Sequence, residues 1–263
     1  MKTFYRFLLL EEIDGCIHTV THKEEEQFYS ASLALHTGQN QEQIIANRKI
    51  LESHLAPYGT FAFVTAQQTH SDHVHIVRQK QTRGWYTQAD AIADCDALIT
   101  DQKGIMLCIL TADCVPILLC DPKKEVVAAV HAGWRGTEAK IVVKTVKKMQ
   151  TEFGCTPSDI VAGIGPAIGS CCYEVGEDVA KHFRYRPNVL EEKDNGKYML
   201  NLPLENRLQL MDAGLSQTQI EQSGICTACN SGTYFSYRKE QGCSGRFMSL
   251  IGLTEIHPLG YHR

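Results

Sequence analysis

Between Ile105 and His131 the chain sets three short apolar runs, IMLCIL, VPILLC and VVAAVH, almost end to end, with only the turns TADC and DPKKE around them. Runs of four to six residues rich in Val, Ile and Leu, with no polar alternation, read as strands buried on both faces. They are expected to be the central strands of the fold, with other elements packed in layers on both sides of them.

The remaining sequence supplies material for those layers. From Asn40 the stretch NQEQIIANRKILESHL predicts a helix, in which Asn40 and Gln43 form a capping box and Ile44, Leu51 and Leu55 share a face. TFAFVTA reads as a strand, QQTHSD as a polar turn, and Val74 with Ile76 as a second, alternating strand. After AGWRG, Thr137 is placed to cap a helix carrying Ile141, Val142, Val146 and Met149 at helical spacing and stopped by Gly154. Strands are also expected at Ile160–Ile164, Tyr198–Leu200, Tyr234–Tyr237 and Phe247–Leu253, with helices at Glu174–Phe183 and Pro203–Ala213. That is more strand than one parallel βαβ series provides. The expected class is α+β, with mixed β-sheets flanked by helices, and without a repeat or a linker residues 1–263 read as one domain.

Composition narrows the function classes. A net charge of −4 with no long Lys/Arg run gives no electrostatic footprint for nucleic acid or an anionic membrane. The longest apolar stretch is broken by Thr111, Asp113 and Pro116, and the N-terminus lacks a signal-peptide pattern, so a cytoplasmic location is expected. Eleven cysteines, an odd number and many within apolar runs, suit reduced thiols packed as small hydrophobes. Cys226 and Cys229, with Cys243 nearby, make one C-x-x-C without an obvious partner pair, a weak signal for a second metal or a redox dithiol. Vicinal Cys171 and Cys172 read as a buried turn, and GIGPAIG as a tight turn beside a pocket. His73 and His75 alternate along a strand and read as a solvated face, and Trp134 as a packing residue.

Three other residues invite a chemical reading. His70, Cys114 and His131 each stand at a strand end or in the turn beside one, where a sheet holds a side chain rigidly and leaves its tip accessible. Two imidazoles and a thiolate suit tetrahedral zinc, and three protein ligands leave a fourth position for water or substrate. Their separations of 44 and 17 residues match no short zinc-finger spacing. Two other readings therefore stand beside the metal: Cys114 packed as a hydrophobe with solvated histidines, and Cys114 with His131 as nucleophile and base, Asp113 orienting them.

The segments QTHSDHV, DALIT, TADCVPILLCDP, AVHAGWRGT, GIGPAIGSCCYEVG and CTACNSGTYFSYRKEQGCSGRF resemble, in order, the signatures of the YfiH/YlmD family. Its members have been called multicopper polyphenol oxidoreductases or laccases, and also purine nucleoside phosphorylases. The resemblance runs from about Arg48 to the C-terminus. It implies a zinc site made by the His of Q-x-H, the Cys of TADC and the His of HAGWRG, which here are His70, Cys114 and His131. It also implies phosphorolysis of adenosine, inosine and methylthioadenosine, with adenosine deamination at the same site. Ser71 stands where members often carry Gly, and Cys95 where Ala is frequent; these departures bear on substrate preference rather than on the metal.

Both activities set chemical demands. Deamination needs an activated water for purine C6, which zinc provides by lowering the pKa of its bound water toward ~7, and a proton shuttle, for which Asp113 or His73 are candidates. Phosphorolysis needs cations for the attacking phosphate, and Arg48, Arg135 and Arg246 match recurrent family arginines; the alternative for each is a structural salt bridge. Competing readings are a copper polyphenol oxidase, a cysteine hydrolase built on Cys114 and His131, and a non-enzymatic module. Eleven histidines, dispersed rather than arranged in paired H-x-H clusters, fit multicopper chemistry poorly. Copper remains a possible occupant of the trio, because it outcompetes zinc for such ligands at equal supply. The expected partners are purine nucleosides and phosphate, with the oligomeric state left open.

Overall fold

Alternation along the central strands sorts the interior into layers. The computed structural model describes residues 4–242 and 245–255. A six-stranded mixed sheet runs in the order Ile220–Gln222, Val161–Ile164, Val115–Asp121, Val126–Ala132, Ala97–Thr100, Val74–Ile76. Stacked on it is a four-stranded mixed sheet in the order Cys16–Val20, Phe247–Leu253, Ile105–Thr111, Ala62–Thr65. Leu190–Glu192, Tyr198–Leu200 and Glu174–Val175 form a small antiparallel sheet beside them.

The three apolar runs that dominate the sequence are central strands, buried along their whole length. Because successive side chains point to opposite faces, each strand feeds two cores at once. Ile117, Leu119, Ala128 and Val130 face the helices Ile141–Phe153 and Leu202–Asp212. Leu118, Cys120, Val127 and Ala129 meet Ile105, Leu107, Ile109 and Phe247 between the two sheets. On the far side Met106, Cys108 and Leu110 pack against Leu51 and Leu55 of the helix Gln41–Leu55. Each buried Leu or Ile contributes roughly 1.5–3 kcal/mol relative to exposure, and this density of them makes the strand ends a rigid platform.

Four local expectations are corrected. The helix at Ile141–Phe153 is not capped by Thr137: Lys140, left-handed at φ 62°, separates it from a short helix at Trp134–Glu138, and Thr137 accepts a hydrogen bond from Asn206 Nδ2 at 2.9 Å. Tyr234–Tyr237 is irregular loop rather than strand; Tyr234 and Phe235 are apolar because they fill the space between the sheets. Glu174–Phe183 opens with the strand Glu174–Val175, and only Glu177–Ala180 is helical. At the helix from Gln41, Asn40 caps the Gln43 amide as expected, but its own N–H goes to the Tyr29 hydroxyl.

Candidate metal centre and cleft

His131 ends a central strand, pairs there with Pro116, and is almost fully buried. Cys114 lies in the turn between two central strands, directly after Asp113 at φ 84°. His70 sits in the polar turn at φ 62°. Left-handed backbone at non-glycine residues is uncommon and persists where its surroundings hold it in place. Here the surroundings are visible. Gln68, the first residue of Q-x-H, exchanges two hydrogen bonds with the Leu110 backbone, at 2.7 and 2.8 Å, and so ties the His70 turn to the end of a central strand.

The donor atoms of His70, Cys114 and His131 lie within 4.8 Å of one another, with Cys114 Sγ 3.8 Å from His70 Nε2. Gly133 explains part of that closeness: a Cβ at this position would stand 2.8 Å from the His70 ring and 3.2 Å from Cys114 Sγ.

The sequence reading missed the residue that organises the trio. Asp96, fully buried, accepts from His131 Nδ1 at 2.7 Å, from the Thr69, His70 and Ser71 amides at 3.1, 3.1 and 2.7 Å, and from Ser71 Oγ at 2.7 Å. One carboxylate thereby fixes the tautomer of one histidine, leaving Nε2 for the shared centre, and the backbone of the other. The signal in the sequence was an acid set directly before the apolar strand ALIT. Ser71, read as a departure affecting only substrate preference, instead supports the candidate ligand His131 through Asp96. Cys95 is buried and donates to the Ala97 carbonyl.

Charge is shared tightly within this group. Burial penalises the Cys114 thiolate, but the His131 and His70 imidazoles outweigh it and bring the thiol down to about 6. Burial likewise opposes the His131 cation, and Cys114 with Asp96 lifts it to about 9. Asp96 is held at about 2, because hydrogen bonds from His131 and Ser71 overcome its own burial. A thiolate between two imidazoles is a donor set that a soft divalent cation fits.

The trio opens into a cleft of about 470 Å³, within the size range of small-molecule sites. Arg135, Arg238 and Arg246 line it, as do Trp134, Tyr173 and Tyr237. The guanidinium of Arg135 stacks 4.4 Å from the Trp134 ring centroid, Arg238 lies 5.3 Å from that of Tyr173, and Arg246 5.7 Å from that of Tyr237. Arg238 was not singled out from the sequence, although the family-like segment CTACNSGTYFSYRKEQGCSGRF contains it. Asp113 also lines the cleft, with its carboxylate accepting from Thr227 Oγ1 and the Arg238 amide, both at 2.7 Å.

Two expected participants are elsewhere. Arg48, read as a phosphate ligand, is fully buried and gives its guanidinium to the Leu33, Gly84 and Trp85 carbonyls at 2.6–2.9 Å, with the Trp85 ring against it. Those bonds replace its hydration shell, and the side chain does not line the cleft. His73 is exposed, outside the cleft lining, with Nδ1 3.0 Å from the Asp94 carboxylate. No helix among the described residues is long and apolar enough to cross a membrane.

Comparison with known proteins gives a consistent result. A family model described as multi-copper polyphenol oxidoreductase laccase matches residues 17–254. The chain is 36% identical over 245 residues to purine nucleoside phosphorylase YlmD of Geobacillus stearothermophilus, covering 90% of this chain and 89% of that one. It is 36% identical over 189 residues to adenosine deaminase RL5 from an unknown prokaryotic organism, covering 70% and 72% respectively. The crystal structure of Bacillus licheniformis protein YfiH superimposes with a TM-score of 0.87 at 35% identity, covering 93% of this chain and 95% of that one. With motif order, sheet architecture and extent of similarity in agreement, the chain belongs to the multi-copper polyphenol oxidoreductase laccase family, the YfiH/YlmD group.

Proposed function

We propose that this chain is a zinc-dependent purine nucleoside enzyme, which cleaves adenosine, inosine and methylthioadenosine with phosphate and also deaminates adenosine. The observation that carries this reading is the placement of two imidazoles, oriented through Asp96, and one thiolate on the lining of a cleft that three guanidinium groups share. Relatives named as purine nucleoside phosphorylases and as an adenosine deaminase support the same reaction classes.

In this reading His70, Cys114 and His131 hold the ion. When bound, it supplies Lewis-acid activation of water for deamination. The other residues act through position and charge. Asp96 keeps His131 in one tautomer, so that the imidazole reaches the centre with a lone pair rather than an N–H. Arg135, Arg238 and Arg246 bind the attacking phosphate, whose oxygens match guanidinium forks. Trp134, Tyr173 and Tyr237 give the cleft flat faces for a purine. Asp113 ties the Cys114 turn to the Thr227 and Arg238 loops, because both of its oxygens already accept hydrogen bonds from the chain.

Two other readings are weighed by donor chemistry. Multicopper oxidation needs several ions in histidine-rich sites, whereas among the described residues one group offers two imidazoles with a thiolate and the other offers thiols alone. A cysteine hydrolase would use Asp96, not Asp113, as the partner of His131, but it has no need for a second imidazole within reach of the same sulfur.

The test is turnover of adenosine and inosine by zinc-loaded protein, with and without phosphate, followed by mass spectrometry beside Cys114→Ala. Phosphate-dependent release of ribose 1-phosphate is expected, with a loss of at least about 10³-fold in the variant, the scale of removing a core catalytic group. Full activity in metal-stripped protein that is abolished by thiol alkylation would transfer the assignment to the hydrolase.

A further inference from the structure

The weak C-x-x-C of the sequence acquires its missing pair in the fold. Cys171 and Cys172, expected as a buried turn, are exposed and partly exposed, and they stand against Cys226 and Cys229. All four sulfurs lie within 4.8 Å of one another, with Cys229 Sγ 3.6 Å from Cys171 Sγ and 3.4 Å from Cys172 Sγ. Cys243 lies outside the described residues.

We infer that Cys171, Cys172, Cys226 and Cys229 form a second, structural site for one thiophilic divalent cation, zinc, separate from the His70–Cys114–His131 centre. Zinc–thiolate bonds of about 2.3 Å in a tetrahedron set sulfurs about 3.8 Å apart, close to the spacing found here. A disulfide would need one pair at about 2.05 Å. Four sulfurs that all fall inside one coordination sphere also point to a single ion, since a multinuclear cluster spreads its ligands over several metals.

The surrounding backbone is arranged for the same purpose. The Gly169 amide donates to Cys226 Sγ at 3.3 Å, the contact that supports a ligating thiolate from outside the coordination sphere. Gly169 itself leaves the space: a Cβ there would lie 3.3 Å from both Cys171 Sγ and the Cys226 Cβ. The two loops already face each other through Ala167 N to Ile225 O at 3.2 Å and Thr227 N to Ala167 O at 3.0 Å.

Four protein ligands close the site, which is the form of structural rather than catalytic zinc. Its location gives it a task. Tyr173, next to Cys172, lines the cleft, and Thr227, between Cys226 and Cys229, donates to Asp113 beside Cys114. An ion here staples the two loops that make one wall of the cleft.

The test uses the full-length chain purified under reducing conditions. Elemental analysis is expected to find close to two zinc ions per chain in wild type, and close to one both in Cys114→Ala and in the double variant Cys172→Ser/Cys229→Ser. Cobalt substitution of Cys114→Ala, which leaves the four cysteines untouched and so does not depend on the double variant folding, is expected to give tetrathiolate charge-transfer bands. Chelator is expected to lower the thermal midpoint of that same variant. A wild-type content of one ion that Cys114→Ala abolishes would overturn the proposal, as would a Cys172–Cys229 disulfide in protein alkylated at lysis. Loss of activity alone would bear on the proposed reaction and not on this site, because the readouts are metal content and spectrum.

Discussion

The His70–Cys114–His131 trio and the four-cysteine cluster are joined through Asp113 and Thr227, yet they rest on different supports. The trio stands on the ends of buried strands and in their turns, with a buried carboxylate aiming it. The cluster stands on two loops, held by a few backbone hydrogen bonds and a glycine that makes room. The first arrangement is rigid before any ligand arrives and leaves a side open to the cleft, as chemistry requires. The second is enclosed by sulfur and gains its rigidity only when the four ligands are tied together. Similar ligand atoms therefore serve opposite ends, and the difference lies in whether the backbone or the side chains provide the stiffness.

Three substitutions or conditions sharpen that contrast. The largest effect is expected from Asp96→Asn, which puts an amide donor where three backbone N–H groups and His131 all donate; loss of such an orienting partner lowers metal affinity or activity by about 10–100-fold. Chelator competition and kcat/KM should both report it, with metal at the cysteine cluster unchanged. Wild-type values for both would mean that the trio orients itself without the carboxylate. A smaller effect is expected from Thr227→Val, which removes the hydroxyl that links the cysteine loop to Asp113. A hydrogen bond to a charged acceptor is worth about 1.5–3 kcal/mol, so kcat/KM should fall by about tenfold while zinc content stays constant. An unchanged kcat/KM would show that the two regions are energetically independent.

The smallest effect belongs to a group distant from both. Burial, reinforced by Arg6, lowers His18 to about 4, and its ring nitrogen accepts the Phe7 amide at 2.9 Å. The unfolded chain binds a proton at this residue near pH 6.5, and the native chain only near 4. Stability from His18 is thus complete above pH 6.5 and lost progressively as pH falls toward 4. At pH 5.5 the loss is about 1.4 kcal/mol, a drop of about 3–6 °C in thermal midpoint. The midpoint difference between wild type and His18→Asn should narrow by that amount between pH 7.5 and 5.5; a constant difference would remove His18 as the cause.

Legibility in the sequence followed the range of the interaction. Ile105–Thr111, Val115–Asp121 and Val126–Ala132 were readable because burial on both faces leaves a local signature, an unbroken apolar run. Tyr234 and Phe235 misled for the same reason: a loop that fills the space between two sheets carries the apolar residues of a strand without its hydrogen bonds. Arg48 and Arg246 look alike in sequence, and only packing distinguishes the one enclosed by carbonyls from the one lining the cleft.

By itself the sequence determined the mixed, multilayered class of the fold and, through its motifs, the three residues of the trio. The tertiary structure decided that their donor atoms converge, that Asp96 holds them, that Arg238 joins Arg135 and Arg246 in the cleft, and that Cys171 and Cys172 complete the C-x-x-C. Strand and helix patterns repeat over a few residues and are written into neighbouring side chains. Convergence of groups far apart in the chain, 44 residues from His70 to Cys114 and 58 from Cys171 to Cys229, depends on strand register and loop path, which are set by the packing of the whole chain.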